Sequence, residues 1–190
     1  MPTPTRTPPI VLSFDMTSRY DLMYSDAGSG AKMNGAFYRP LASADYFILG
    51  DYAQSDHEAP TSPSLTITVI QDDPRDPALM APTSYIQVWD DDNSGAKMDG
   101  SIWVPEPPTG YVALGAVAQT GYGMPDIPRL RCVRADLVKP AAIGAVIWND
   151  KGSGATKHIA TYQIVGLTTF YAQGNYDPPA GPAWTLGSLG

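Results

Sequence analysis

One nine-residue pattern occurs three times in this chain, and this triplication constrains the fold more than any other feature. Each copy has an aromatic residue, an aspartate two residues later, a Ser-Gly turn and a lysine close behind. The copies lie at 24–32, 89–97 and 148–156, and Lys157 directly follows the third. Their starts are separated by 65 and 59 residues, and similar segments follow each copy, so the chain consists of three related repeats.

The runs between turn residues indicate an all-β chain, because they are short and rich in β-branched and aromatic residues. Runs of this type lie at 10–14, 65–70, 85–89 and 143–148. Each repeat offers about four strands, and three four-stranded antiparallel sheets about a pseudo-threefold axis describe a β-prism. A β-trefoil also has threefold symmetry, but its repeats are about 40 residues long and its strands pair differently, so the alternative architecture is a six-stranded sandwich.

We predict a single domain over residues 1–190, with repeats at about 20–70, 85–138 and 144–186. A strand at 9–15 is expected to join the third sheet and so close the figure. Gly50 and Gly115 occupy matching positions and are interpreted as points where sheets pack closely. The Pro/Thr-rich arm at 1–8 precedes the repeats and is expected to be mobile.

Composition excludes several classes of protein. The net charge of −7 argues against a grip on the phosphate backbone of nucleic acid, so no nucleic acid partner is expected. No run of about 18 apolar residues is present, which excludes a transmembrane helix. Cys132 is alone, so there is neither an internal disulfide nor a thiolate metal cluster. We expect a soluble protein, either cytoplasmic or exported without a recognisable signal peptide, and one that is able to form oligomers.

The repeated segments resemble the Vps62 family, which has fungal, bacterial and plant members. Repeat two carries the fullest match, with Trp-Asp-Asp-Asp-Asn-Ser-Gly-Ala-Lys at 89–97, Ser-Ile-Trp-Val-Pro at 101–105 and Arg-Cys-Val-Arg-Ala-Asp-Leu-Val at 131–138. The resemblance covers most of 20–185 and departs from the family pattern at Val104 and Glu106. It supports the repeat architecture and implies no defined biochemical activity.

The repeated loops are the candidate binding sites. A carboxylate accepts hydrogen bonds from sugar hydroxyls, backbone amides donate to others, and an aromatic ring stacks on the C–H face of a sugar. We therefore predict a non-enzymatic, lectin-like module that recognises a glycan, a glycosylated surface or another small polar ligand. The predicted ligand-binding residues are Asp26, Gly28, Ser29, Gly30, Trp89, Asp91, Asn93, Ser94, Gly95, Trp148, Asp150, Gly152, Ser153 and Gly154.

Other interpretations of the same loops stay open. The aspartates and glycines could serve only as turn residues. The chain would then be a structural or adaptor protein that binds a protein partner, or a membrane-targeting component of a toxin-like or sorting system. Gly-Ser-Gly amides with a lysine suit a bound anion, and Asp90 with Asp92 suits a weak Ca²⁺ site. No other cofactor or metal is predicted. His57 and His158 lie in no catalytic or zinc pattern and are interpreted as solvated, so no enzyme activity is expected.

Overall fold

The computed structural model describes residues 9–187, and the arm at 1–8 lies outside that range. Apart from one short 3₁₀ turn at Ala135–Leu137, the regular structure in that range consists of β-strands, so the all-β prediction is confirmed. The strands are β1 (Val11–Thr17), β2 (Tyr20–Ser25), β3 (Ala36–Pro40), β4 (Phe47–Ile48), β5 (Tyr52–Gln54), β6 (Ser64–Gln71), β7 (Leu79–Met80), β8 (Ser84–Asp90), β9 (Gly100–Glu106), β10 (Tyr111–Val112), β11 (Val117–Thr120), β12 (Cys132–Arg134), β13 (Val138–Pro140), β14 (Ile143–Asn149), β15 (Ala160–Ile164), β16 (Phe170–Gln173) and β17 (Trp184–Leu186).

Each repeat places its Asp-containing loop at the tip of a long hairpin, and a third strand completes a three-stranded antiparallel sheet. The strand orders are β2-β3-β5, β8-β9-β11 and β14-β15-β16. In every hairpin the strand register shifts just before the aromatic residue of the repeated pattern. An irregularity of this kind changes the direction of the side chains that follow, and the aromatic residues that follow it here are buried.

The remaining strands form smaller sheets, and here the structure differs from the prediction. Two sheets have three strands, in the orders β1-β6-β4 and β7-β12-β10, and one has only β13 and β17. The predicted four-stranded sheets are therefore wrong, because each repeat divides its strands between two sheets. The prism arrangement of these sheets stays a prediction.

The predicted closing strand also pairs differently. β1 is antiparallel to β6 of its own repeat, with Met16 opposite Leu65, and does not join the third sheet. Likewise β7 pairs with β12 of repeat two and β13 pairs with β17 of repeat three, so each repeat is preceded by its own leading strand. The run of β-branched and aromatic residues at 10–14 indicates a strand but carries no information about which partner lies beside it.

Three equivalent aromatic residues form the centre of the core. Tyr24, Trp89 and Trp148 are fully buried, and their ring centroids lie 5.3 to 6.3 Å apart. Tyr24 meets each indole edge-on, and the two indoles meet edge-on as well, a favoured geometry for aromatic pairs. One ring from each repeat thus meets its two counterparts, so none of the repeats buries its aromatic residue alone.

A second belt of contacts joins the repeats further from the loops. Asp51 N–H donates to Ala116 O at 3.1 Å, and Ala116 N–H donates to Phe170 O at 2.9 Å. A Cβ atom at Gly115 would lie 2.4 Å from Cβ of Thr169, and one at Gly50 would lie 3.1 Å from Cα of Gly115. The position of Gly115 leaves no room for a side chain and that of Gly50 is tight, which confirms that both glycines mark close packing.

One charged pair is buried in this belt. Arg39 donates from Nε and Nη2 to the two carboxylate oxygens of Asp51, each at 3.1 Å. The amide of Ala118 donates to Asp51 Oδ2 at 2.8 Å, and Arg39 Nη2 also donates to Ala118 O. Asp51 is completely buried, and this burial raises its pKa although Arg39 and the Ala118 amide act in the opposite direction.

Candidate functional site

The three repeated loops share one backbone conformation. In each, the serine amide donates to the carbonyl oxygen of the aspartate three residues earlier, at 2.7 to 2.9 Å. The glycine after each serine has a positive φ, between 72° and 85°. Asn93 has φ 66° at the position where the other two loops carry Gly28 and Gly152. Asparagine tolerates this left-handed conformation better than most residues, which explains why the pattern accepts it there.

The loop carboxylates are buried and close their own loops. Asp26, Asp91 and Asp150 are only 2 to 4% exposed. Oδ1 of each accepts a hydrogen bond from the backbone amide nine residues further along the chain. The donors are Gly35 N at 2.9 Å, Gly100 N at 2.9 Å and Ile159 N at 3.0 Å. The carboxylate therefore spans the base of its loop and stabilises the loop from inside.

The second carboxylate oxygen links neighbouring repeats. Trp148 Nε1–H of repeat three donates to Asp26 Oδ2 of repeat one at 2.8 Å. Trp89 Nε1–H of repeat two donates in the same way to Asp150 Oδ2 of repeat three at 3.0 Å. At the remaining junction Tyr24 replaces the indole, and Asp91 Oδ2 accepts instead from Ser94 Oγ at 3.0 Å.

A residue from a neighbouring loop completes the surroundings of each aspartate. His57 Nε2 lies 2.6 Å from Asp26 Oδ1, and Tyr176 Oη–H donates to Asp150 Oδ1 at 2.7 Å. In repeat two the corresponding residue is Tyr122, whose pKa is raised by desolvation and by the neighbouring Asp91 carboxylate. All three stand three residues after the repeated Ala-Gln pair, a spacing from which the sequence could have identified them. The interpretation of His57 as merely solvated is therefore wrong.

Backbone hydrogen bonds tie the three loops into a ring. Lys32 N–H donates to Lys151 O, Lys97 N–H to Ala27 O, and Thr156 N–H to Asp92 O, at 2.9 to 3.0 Å. Repeat one thus donates to repeat three, three to two, and two to one. We call the segments 26–32, 91–97 and 150–157, joined in this way, the loop ring.

The predicted site residues fall into two groups. The buried group comprises Asp26, Ser29, Trp89, Asp91, Ser94, Trp148, Asp150 and Ser153. The exposed group comprises Gly28, Gly30, Asn93, Gly95, Gly152 and Gly154. In the buried group the indoles have no exposed face, and the aspartates already accept hydrogen bonds from protein donors. Packing between repeats thus covers the indoles and carboxylates in this conformation, and the exposed part of the predicted site consists of the glycines and Asn93.

The residues predicted for a weak Ca²⁺ site have protein partners of their own. Asp90, expected to contribute to a weak Ca²⁺ site, forms an ion pair with Lys157. No cluster of three or more His, Cys, Asp or Glu side chains suited to a metal ion occurs within 9–187. Cys132 is buried, and desolvation raises the pKa of its thiol to about 12, which keeps it protonated at neutral pH.

Tyr24 provides a stability test of the ring of aromatic–aspartate contacts. Its Oη is buried and has no hydrogen-bond partner among residues 9–187. Since an unpaired buried hydroxyl is costly, Tyr24→Phe is expected to raise the free energy of unfolding by about 1 kcal/mol, measured by urea denaturation. Tyr176→Phe is the matched control, because its hydroxyl donates to Asp150, and it should lose about 1 kcal/mol. Equal losses in both variants would contradict this account of Tyr24.

Comparison with known proteins agrees with the repeat pattern and the fold. Residues 12–169 match the model of the family described as vacuolar protein sorting-associated protein 62, Vps62. The chain therefore belongs to the Vps62 family. The crystal structure of GNIP1Aa from Chromobacterium piscinae matches with a TM-score of 0.80 and 29% sequence identity. The match covers 94% of this chain but only 37% of GNIP1Aa. No curated protein matches the chain significantly.

Within residues 9–187 none of the helical structure has the length and apolar character needed to cross a bilayer.

Proposed function

We propose that this chain is a non-catalytic binding module that recognises carbohydrate on glycosylated surfaces through the exposed side of the loop ring. The observation that carries the proposal is that three equivalent loops meet on one face and expose their glycines there. The buried aspartates and aromatic residues hold this face in place and are not themselves the contact groups. Membership of the Vps62 family, and the match to part of the longer GNIP1Aa chain, support the role of a module.

The exposed side of the ring offers chemistry that suits hydroxyl groups. Exposed glycines leave peptide N–H and C=O groups accessible, and Asn93 adds an amide oxygen that accepts hydrogen bonds. The NH₂ group of Asn93 donates to Asp92 Oδ2 and Thr156 Oγ1 and so holds that oxygen in place. Lys32, Lys97 and Asp92 are also exposed, so charged donors and an acceptor surround the glycines. Rigid loops lose little conformational entropy when a ligand binds. Related contacts on three loops would also strengthen binding to a multivalent glycan.

Asn93 allows a test that preserves the backbone. Asn93→Gly keeps the left-handed conformation that glycine adopts in the other two loops and removes the side-chain amide together with its hydrogen bonds to Asp92 and Thr156. Combined with Lys97→Ala, it should weaken binding to glycans selected on an array by about tenfold. Lys139→Ala, an exposed change outside the loop ring, is the matched control and should bind like the unaltered protein.

The array also separates this proposal from its alternatives. Failure of the unaltered protein to bind any glycan, or undiminished binding by the double variant, would reject recognition by the loop ring. If a protein partner is captured and its binding survives glycosidase treatment of that partner, the adaptor function replaces the lectin-like one.

A further inference from the structure

A groove of about 660 Å³ lies between repeats three and one, outside the loop ring. Repeat one contributes the end of β5 and the segment that follows it, and repeat three contributes β14, β15 and the turn after β15. Its lining includes Tyr52, Asp56, Thr61, Val146, Gln163 and Val165. Size alone places this groove within the range of small-molecule sites.

The other two junctions between repeats have different linings. Between repeats two and three the groove is about 370 Å³ and mainly apolar, with Pro105, Phe170 and Trp184 in its walls. Between repeats one and two it is about 320 Å³, with Arg19 and Arg129 beside aliphatic residues. The loops are thus nearly identical while the junctions below them have diverged. A ligand that suits the groove between repeats three and one would therefore have one site on this chain and not three.

The groove between repeats three and one combines neutral polar groups with small apolar surfaces. Gln163 and Thr61 are exposed and carry groups that both donate and accept hydrogen bonds. Val146 is 43% exposed and Val165 is 55% exposed, so both present aliphatic surface to a ligand. Tyr52, whose ring packs against that of Tyr20, also lines the groove. Hydroxyl partners beside apolar surface fit the alternating O–H and C–H faces of a saccharide.

Hydrogen bonds within repeat one hold one wall of this groove in place. Gln54 Nε2–H and Glu58 N–H both donate to Asp56 Oδ1, at 2.6 and 2.9 Å. Tyr20 Oη–H donates to Ser62 O at 2.7 Å and so fixes the lower part of the same segment. None of the residues 9–187 donates to Asp56 Oδ2, which leaves that oxygen free to accept from a ligand hydroxyl. The carboxylate also disfavours an anionic ligand.

From these observations we infer that the groove between repeats three and one is a separate binding site for a neutral oligosaccharide. The site contains none of the loop-ring residues, so it can be tested independently of recognition by the loop ring. Asp56 and Gln163 bind ligand hydroxyls from opposite walls, and Val146 with Val165 contacts the C–H faces of the sugar.

Amide proton–nitrogen NMR with defined sugars tests the inference. The probes are maltotriose, cellotriose and triacetylchitotriose, with trigalacturonic acid as the anionic counterpart. At least one neutral trisaccharide should shift the amide signals of Asp56, Gln163 and Val165, and trigalacturonic acid should shift them much less. Absence of shifts in the groove with all three neutral probes would overturn the inference, as would stronger shifts with the anionic probe.

Variants then assign the binding to the groove. Gln163→Ala and Val165→Asp change exposed groove residues, and each should weaken binding of the active trisaccharide by about tenfold. Ile86→Asp, at another exposed apolar position, is the matched control and should leave it unchanged. If the groove variants bind the active trisaccharide as tightly as the unaltered protein does, the groove site is rejected. The double variant Asn93→Gly with Lys97→Ala should bind the trisaccharide in the groove as the unaltered protein does. Loss of binding through the loop ring and loss of binding in the groove are therefore distinguished by different variants.

Discussion

Asp51→Ala is expected to lower the free energy of unfolding by about 3–5 kcal/mol, because it leaves the Arg39 guanidinium without its carboxylate in a largely buried position. Removal of Asp51 also deprives the Ala118 amide of its acceptor. The carboxylate is so strongly desolvated that its pKa is raised even beside a guanidinium. The desolvation penalty therefore offsets much of the Coulomb attraction between the two side chains. Replacing both residues with apolar ones should consequently destabilise the protein far less than removing one of them.

Repeat two supplies the matched control for this prediction. Val104 and Ala116 stand where repeat one has Arg39 and Asp51. The double variant Arg39→Val with Asp51→Ala should therefore recover most of the stability that Asp51→Ala loses, because no unpaired charge stays buried. Urea denaturation of both single variants and the double variant measures the coupling directly. A double variant whose loss equals the sum of the two single losses would show that the pair is not coupled in this way.

Asp150→Ala should be the second large effect, with a loss of about 3 kcal/mol or more in the free energy of unfolding. The change leaves Trp89 Nε1–H and Ile159 N–H buried without an acceptor, and Tyr176 loses its partner as well. Each unsatisfied buried donor costs about 1–3 kcal/mol. The free energy of unfolding of Asp150→Asn should lie between those of the unaltered protein and Asp150→Ala. The amide oxygen can replace one carboxylate oxygen as an acceptor, but the NH₂ group cannot accept from the indole.

Asp92→Ala is the control for the loop carboxylates. Asp92 follows Asp91 directly, is exposed, and accepts from the side chains of Asn93 and Thr156. Its replacement should change the free energy of unfolding by no more than about 0.5 kcal/mol. Urea denaturation followed by tryptophan fluorescence suits both variants, since Trp89 is the bonded indole. Equal stability of Asp150→Ala and Asp92→Ala would contradict the structural role of the buried carboxylate.

The short β-branched and aromatic runs predict the all-β fold, and the triplicated pattern predicts the positions of the loops and the close packing at Gly50 and Gly115. It does not predict that Trp148 reaches Asp26, because the two are 122 residues apart and their contact depends on the direction in which the repeats are arranged. Nor does a strand reveal which of its faces is covered by another repeat. For that reason Trp89, whose position allows sugar stacking, is instead fully buried.

Sequence reasoning also missed the groove between repeats three and one. Its walls come from segments such as Ser55–Asp56 and Val165–Gly166, which carry no repeated motif, and they meet only after the first and third repeats pack together. A motif search favours what the repeats share. The junctions differ in chemistry although the loops above them share one backbone conformation.

The order in which the loops bond to one another has a consequence for synthesis. Asp26 is among the first loop residues to leave the ribosome, yet the indole that satisfies its Oδ2 belongs to the last repeat. A nascent chain that ends after repeat two therefore carries a carboxylate and aromatic residues whose native partners have not yet been made. Contacts of such long sequence separation slow folding, so the three repeats should reach their native state together, after translation of the third, and not one by one as they emerge.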